Sequence, residues 1–427
     1  MTMAADKQDK VLNFLSEREQ SGACSSSAER EKNQGKNFLN VPTLRFPEYS
    51  DKWLECELQD IANLSKGAGI SKDQLSESGE SCILYGELYT KYKSEVISNV
   101  ISKTDIENSN LVRSKANDVI IPSSGETAID ISTARCVPYD NILLGGDLNI
   151  IRLKDQDGRF FSYQLNGVRK LDIAQIAQGV SVVHLYGESL KRLKVRYPSR
   201  SEQEKISSLL SVIDERIETQ NRIIKDLKSL FDVICERLYN PSEKDSWQTY
   251  KYADLFSISN ERNSKLQYTN VLSASQEYGM IERNELNIDI KFEASSIKNY
   301  KIVRPNQYVI HLRSFQGGFA YSEKTGVCSP AYTILVPNEK ISPAFLKYYF
   351  TSKKFIDSLR IVTYGIRDGR SISVEEFLQL KVTIPDVASQ QHIVHVMQLW
   401  EEKIKTEESY LSKLQQQKQY LLSTMFV

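Results

Sequence analysis

The chain has 427 residues, with 55 Lys plus Arg against 55 Asp plus Glu, so its formal net charge is zero. That length allows two or three domains with separate cores, and the charge balance excludes a global pull toward nucleic acid: a DNA binder of this composition must gather its basic groups on one face. Six cysteines form no CxxC pair, four histidines give no zinc-ligand spacing, and no apolar run approaches the ~20 residues of a membrane helix; a soluble cytoplasmic chain with free thiols is expected.

Residues 1–40 read as a partly disordered extension, a short helical stretch DKVLNFLSERE followed by the polar tract SGACSSSAEREKNQGKN, which cannot bury enough apolar surface to hold a shape. From VPTLRFPEYSDKW onward, residues 41–200 read as a mixed α/β domain. SCILYGELY, NDVIIPS, DNILLGGDLNIIRL and LKRLKVRYP have the composition and punctuation of strands, and FFSYQLNGVRKLDIAQIAQG that of a helix. Residues 201–240 then predict one long helix, with Ser201 as N-cap and Glu202 and Glu204 in its first turn. Ile206, Leu210, Ile213, Ile217, Gln220, Ile224, Leu227, Phe231, Ile234 and Leu238 recur at alternating steps of four and three, a heptad seam, and Asn240-Pro241 stops it. Residues 241–388 form a second mixed domain, with strands in KYADLFSI, QYVIHLRS and AYTILVP and a helix in SPAFLKYYFTSKKFIDSLR. A closing helix follows in 389–427.

The two halves are copies. LKRLKVRYP aligns with FLQLKVTIP at an offset of 187, which puts Pro198 on Pro385, Gln203 on Gln390 and Ile206 on Ile393. The same register places Ile393, Met397, Trp400, Ile404, Glu407, Leu411, Leu414, Lys418, Leu421 and Met425 on a second seam, and even the polar interruption Gln220 finds its equivalent in Glu407. DKWLECELQDI is echoed by DSWQTYKYADL, Trp53 beside Trp247. Two apolar stripes in one chain offer each other cover. The expected fold class is therefore α+β: two mixed α/β domains separated by two long antiparallel coiled-coil-like helices, a tandem repeat of pseudo-two-fold character. A helix over 206–238 is about 48 Å long at ~1.5 Å per residue, or roughly 14 base pairs of B-DNA. Pairing of each helix with its copy in a second chain stays open on periodicity alone.

With its order of segments, its YVIHLRSFQGGFAYSEKTGVCSPAYTILVP block and its YGIRDGRSISVEEFLQLKVTIP run, the chain resembles the specificity subunit of type I restriction-modification systems from Val41 to Val427. The resemblance implies a non-catalytic reader of double-stranded DNA in the bacterial or archaeal cytoplasm. Each target-recognition domain contacts one half of a split site, and the helical pair measures the gap. Two methyltransferase subunits dock on it, and restriction subunits complete an ATP-driven nuclease. S-adenosylmethionine, ATP and Mg belong to those partners, and no cofactor to this chain. A coiled-coil protein scaffold is the alternative, and a stand-alone DNA-modifying enzyme a third reading. No GxxxxGK phosphate loop occurs, SPAY at 329–332 departs from the methyltransferase motif it superficially resembles, and His392 with His395 makes no metal site.

A reader needs phosphate-positioning groups and side chains that match base edges. RSFQGG offers Arg313, Ser314 and Gln316 after a strand, with Tyr321 following; TYGIRDGRS offers Arg367, Asp368 and Arg370. A plain hairpin and a local Arg–Asp pair explain the same runs. In the first domain IPSSGETAID holds the place of IHLRSFQGG, making Ser123 and Ser124 candidates, with Lys66, Lys91 and Lys93 as phosphate contacts. Off the seam, Arg216, Arg222, Lys225 and Lys228 are candidates for the methyltransferase-facing surface.

Overall fold

The computed structural model describes residues 41–106, 110–179, 181–240, 247–275, 278–283, 294–311, 318–359, 363–364 and 371–427. The chain divides into a first unit that runs to Glu215 and takes in Gln415–Val427, and a second, Arg216–Leu414. Both are α+β.

In the first unit an antiparallel ribbon pairs β1 (Leu54–Glu57) with β8 (Lys194–Tyr197). Beside it lies a four-stranded antiparallel sheet of β2 (Ala62–Lys66), β3 (Asp118–Pro122), β5 (Arg135–Val137) and β6 (Leu148–Leu153), in the order β2-β6-β3-β5. All five residues of β3 are buried, which is why the run VIIP lacks alternation: the strand is covered on both faces. A short ribbon of β4 (Ser124–Gly125) and β7 (Val183–His184) extends from the loop after β3. A second four-stranded sheet orders Ser102–Thr104, Glu80–Ile83, Leu143–Leu144 and Val112–Arg113. Helix α1 (Gly158–Asn166) starts at Asp157, whose side chain accepts the Arg159 N–H, and α2 (Lys170–Ile176) follows. Trp53 anchors the core against Phe160 at 5.6 Å and Phe426 at 6.4 Å.

Several expected elements are shorter than their sequence runs. The helix expected through FFSYQLNGVRKLDIAQIAQG breaks at Gly167, the C-cap of α1, whose N–H bonds the Tyr163 carbonyl. DNILLGGDLNIIRL is two strands, parted where Asp147 takes a positive φ of 58° after Gly145-Gly146. GELYT is a helical turn, Glu87–Thr90, because the Glu87 carboxylate accepts the Leu84 N–H at 3.1 Å and turns the chain.

The second unit repeats the plan. Its ribbon pairs β9 (Gln248–Lys251) with β14 (Lys381–Ile384), and its sheet orders β10 (Phe256–Ser259), β13 (Thr333–Pro337), β11 (Tyr308–Ile310) and β12 (Phe319–Tyr321) as β10-β13-β11-β12. The expected helix SPAFLKYYFTSKKFIDSLR is two, α4 (Phe345–Tyr349) and Lys353–Ser358, because Ser352 caps the second by accepting the Phe355 N–H. The core is aromatic, with Tyr252 stacked on Phe377 at 4.5 Å and Phe319 against Phe350 at 4.7 Å.

The duplication reaches individual hydrogen bonds. Gln203 donates to the Pro198 carbonyl at 2.9 Å and accepts the Asp157 N–H at 3.0 Å; Gln390 donates to the Pro385 carbonyl at 2.9 Å and accepts the Ser342 N–H at 2.8 Å. Both amides are wholly buried. Such a group persists in a core only because its partners satisfy it.

Two long helices complete the structure: α3, Arg200–Leu238, and α5, Val387–Thr424. Helix α3 begins one residue before the expected cap, the N–H groups of Glu202 and Gln203 both reaching the Ser199 carbonyl at 3.1 Å. Helix α5 starts at Asp386, whose carboxylate takes the Ser389 N–H at 3.0 Å and is held below its ordinary pKa by that bond and the Ser389 hydroxyl. Along the seams Ile206, Leu210, Ile213, Ile224, Ile393, Met397, Leu414 and Leu421 are buried, whereas Ile217, Leu227, Phe231, Ile234, Leu238, Trp400, Ile404 and Leu411 are half-buried. In the second unit Gln220 donates to the Glu407 carboxylate at 2.5 Å, Lys228 pairs with Glu408 at 2.7 Å, and Phe231, Ile234 and Leu238 pack on the cluster holding Ile393 and Met397.

The expected seam position Lys418 is buried and ionised. In the first unit its ammonium pairs with Asp214 at 2.6 Å and with Glu95, while Asp214 also accepts from Tyr163 at 2.7 Å and Ser94 at 2.9 Å. Burial pulls the Lys418 pKa down, but the two carboxylates outweigh it and hold it above its ordinary value. The second unit places Glu401, 187 residues after Asp214, on Tyr348 at 2.8 Å and Lys347 at 3.1 Å.

Two outcomes follow for unfolding measured in urea. Lys418→Met strands two buried carboxylates and lowers stability by about 3–5 kcal/mol. Ile224→Ala costs about 2–4 kcal/mol as a buried large-to-small change; Ile217→Ala, at a half-buried position the sequence presents as equivalent, costs clearly less.

Candidate nucleic-acid interface

The repeated sheets each offer one end at which three strand termini converge. In the first unit β2 ends at Lys66, paired in register with Asn149 near the start of β6, and Leu148 faces Pro122 at the end of β3. In the second unit β10 ends at Ser259 opposite Ile334, and Thr333 at the start of β13 faces Ile310 at the end of β11. The segment after β3 and the segment after β11 hold the same topological place, as the sequence comparison of IPSSGETAID with IHLRSFQGG anticipates.

The first sheet end brings Lys66, Ser123 and Ser124 together around the start of β6. Lys66 is exposed. Ser123 and Ser124 are buried: the Ser123 N–H donates to the Asp147 carbonyl at 2.7 Å and its carbonyl accepts the Leu185 N–H at 2.9 Å, while Ser124 pairs in register with His184. The expected contact from these serines is corrected accordingly, since Ser124 is itself a strand residue of the β4–β7 ribbon and Ser123 leads into it, both buried. Behind them Gly67 lies so close to the next turn that an added Cβ would sit 2.0 Å from the Gly145 carbonyl oxygen, so the position requires glycine. Lys91 and Lys93 are drawn back onto their own turn, Lys91 to Glu87 at 2.7 Å and Lys93 to the Thr90 carbonyl at 3.2 Å.

In the second unit Arg313, Ser314, Gln316, Arg367, Asp368 and Arg370 lie outside the described residues. Tyr321 is a correction. It is buried, its ring 5.1 Å from Tyr308 and its hydroxyl donating to Asn306 at 2.6 Å, and burial pushes the phenol up to about 12. A strand position facing an aromatic core has claimed it. At this end the His311 backbone N–H donates to the Gly318 carbonyl at 2.8 Å, and burial holds the His311 imidazole below its ordinary pKa.

Sequence reasoning missed Asn149, His184 and Tyr186. Asn149 is buried at the start of β6, and its side-chain amide donates to the Leu185 carbonyl at 2.9 Å, tying β7 to the sheet end. His184 and Tyr186 flank that residue on the solvent side, their rings stacked at 6.1 Å. The available signals were a lone amide in the apolar run LNIIRL and the alternation of HLY.

Four thiols are buried and held in the neutral form, Cys82 pushed up to about 11 and Cys136, Cys235 and Cys328 to about 12. Among the described residues no cluster of three or more His, Cys, Asp or Glu is placed to hold a metal ion, and no helix is long and apolar enough to cross a membrane.

A duplicated α+β unit, each copy joined to a long helix, defines a two-module protein. Residues 50–229 and 244–416 each match the family described as Type I restriction modification DNA specificity domain, and the chain belongs to that family, as a DNA sequence-specificity subunit. In fold it is similar to the type I restriction-modification system S subunit from M. genitalium, with a TM-score of 0.57 and 18% identity over 91% of this chain and 99% of that one. It is also similar to a chain solved to explain complex assembly and conformational transition of the type I R-M system, with a TM-score of 0.55 and 12% identity over 88% of this chain and 97% of that one.

Asn149→Ala leaves the Leu185 carbonyl buried without its donor, and is expected to lower stability by about 1–3 kcal/mol. Hydrogen exchange is expected to quicken at the Leu185 amide before the rest of the sheet.

Proposed function

We propose that this chain reads a two-part DNA site, one half with each recognition domain (41–200 and 241–388), while the helices of 201–240 and 389–427 act as an antiparallel pair that fixes the distance between the halves. One observation carries the reading: the repeat is kept down to the buried amides Gln203 and Gln390 and the helix carboxylates Asp214 and Glu401, each tied to its own domain. Selection that keeps the mounting of both copies keeps both copies at work. A two-site reader with a rigid mounting needs that; a passive scaffold does not.

In this reading the chain is non-catalytic, cytoplasmic and bound to DNA, and two methyltransferase subunits dock on it, joined in the full complex by restriction subunits. S-adenosylmethionine, ATP and Mg are held by those partners. Two equivalent docking faces are supported by the exposed apolar residues of the long helices. Val212, Ile223 and Val233 on α3 recur 187 positions later as Leu399, Tyr410 and Tyr420 on α5, all of them exposed. Arg216, Arg222 and Lys225 add charge on α3, whereas Lys228 is engaged by Glu408.

The test is a set of duplexes that keep both half-sites and vary only the spacer between them, assayed for adenine methylation by the chain with its methyltransferase partner. One spacer length is expected to support methylation, with loss on adding or removing base pairs. Indifference to spacer length would overturn the ruler role of the helices.

A further inference from the structure

We infer that His184 and Tyr186 form the base-contacting element of the first recognition domain, the place that the buried Ser123 and Ser124 cannot fill. The inference rests on the reading of each domain as a half-site reader.

Three features of the structure converge on this pair. The first is orientation. Residues 184–186 are extended, so alternate side chains point to opposite faces: Leu185 is fully buried, while His184 and Tyr186 face solvent, Tyr186 with 47% of its surface exposed. Two aromatic side chains are thus presented to solvent side by side, His184 at the end of β7 and Tyr186 two residues on, ready to meet a flat partner.

The second is rigidity. His184 exchanges two backbone hydrogen bonds with Gln178, at 2.7 and 2.9 Å, and pairs in register with Ser124. Leu185 is held from both sides, its N–H by the Ser123 carbonyl at 2.9 Å and its carbonyl by Asn149 at 2.9 Å. The Tyr186 ring lies 6.1 Å from the imidazole at an interplanar angle of 27°, buttressing it. Recognition groups held this way lose little freedom on binding.

The third is location. The strand is tied to the sheet end at Asn149, the residue that pairs in register with Lys66, so an exposed cation lies at the same end as the two rings. The nearby Glu188 carboxylate is taken up by Lys191 at 2.6 Å. An imidazole carries both a donor and an acceptor for purine edges, a phenol hydroxyl can do either, and a lysine positions phosphate. Asn149 is then a positioning residue, acting through Leu185.

The experiment co-expresses the full chain with its methyltransferase partner and maps methylated adenines across the host genome, for the wild type, His184→Ala, Tyr186→Ala and the pair. Thermal melting of each purified variant is expected to match the wild type, because both side chains are exposed. Preference at one or more base pairs is expected to fall about five- to hundredfold, the loss of one base contact, in one half of the motif only. Tyr186→Phe separates the two roles of that residue, keeping the ring that supports His184 while removing the hydroxyl. A split wild-type motif that all variants reproduce at unchanged extent would overturn the inference and leave the two-site reading standing. A relaxation spread over both halves would overturn it too. A wild-type chain that specifies no split motif would overturn both.

Discussion

Each long helix sets one carboxylate against its own domain, Asp214 buried and Glu401 half-buried, and the architecture depends on that carboxylate being satisfied there. Burying an ion costs several kcal/mol unless hydrogen bonds and an opposite charge replace the lost water. Asp214 receives a tyrosine, a serine and a lysine; Glu401 receives a tyrosine and a lysine. A helix held only by an apolar stripe can slide by a turn at modest cost, since one Leu or Ile replaces another. A helix held by a buried charge cannot, because any slip leaves that charge alone. In the first unit the cation comes from the last turns of the other long helix, so Lys418 fixes the register of α5 against the domain as well as that of α3.

Much of this fold was legible in the sequence because the signals were periodic or repeated. The alternating four-three steps marked both helices to within about two residues, and the offset of 187 tied the halves together without any knowledge of shape. Buried strands such as Asp118–Pro122 announced themselves by unbroken apolar text. Helix interruptions were not legible, because Gly167 and Ser352 act through local hydrogen bonds that compete with an otherwise favourable helical composition.

The site was less legible than the fold, for a physical reason. Sequence shows which residues can touch DNA but not which of them the fold spends on its own interior. Serines after a strand look like phosphate ligands, yet Ser123 and Ser124 are built into a two-stranded ribbon whose second strand comes some sixty residues later. Tyr321 follows a glycine pair as a recognition tyrosine would, yet its ring completes an aromatic core. In the opposite direction the alternation of His184-Leu185-Tyr186 is only three residues long, too short to tell an exposed aromatic pair from a buried one.

Gln220 and Glu407 occupy the same position in the two copies, and they touch each other. A site where a sequence meets its own duplicate is ordinarily bound to be self-complementary: two identical chains would set glutamate against glutamate, or amide against amide. Joining the halves in one polypeptide lifts that constraint, and here the copies have drifted into donor and acceptor, with Lys403 and Gln220 together holding the Glu407 carboxyl below its ordinary pKa. The contact is a consequence of covalent fusion: two identical chains have no way to write two different letters on one line.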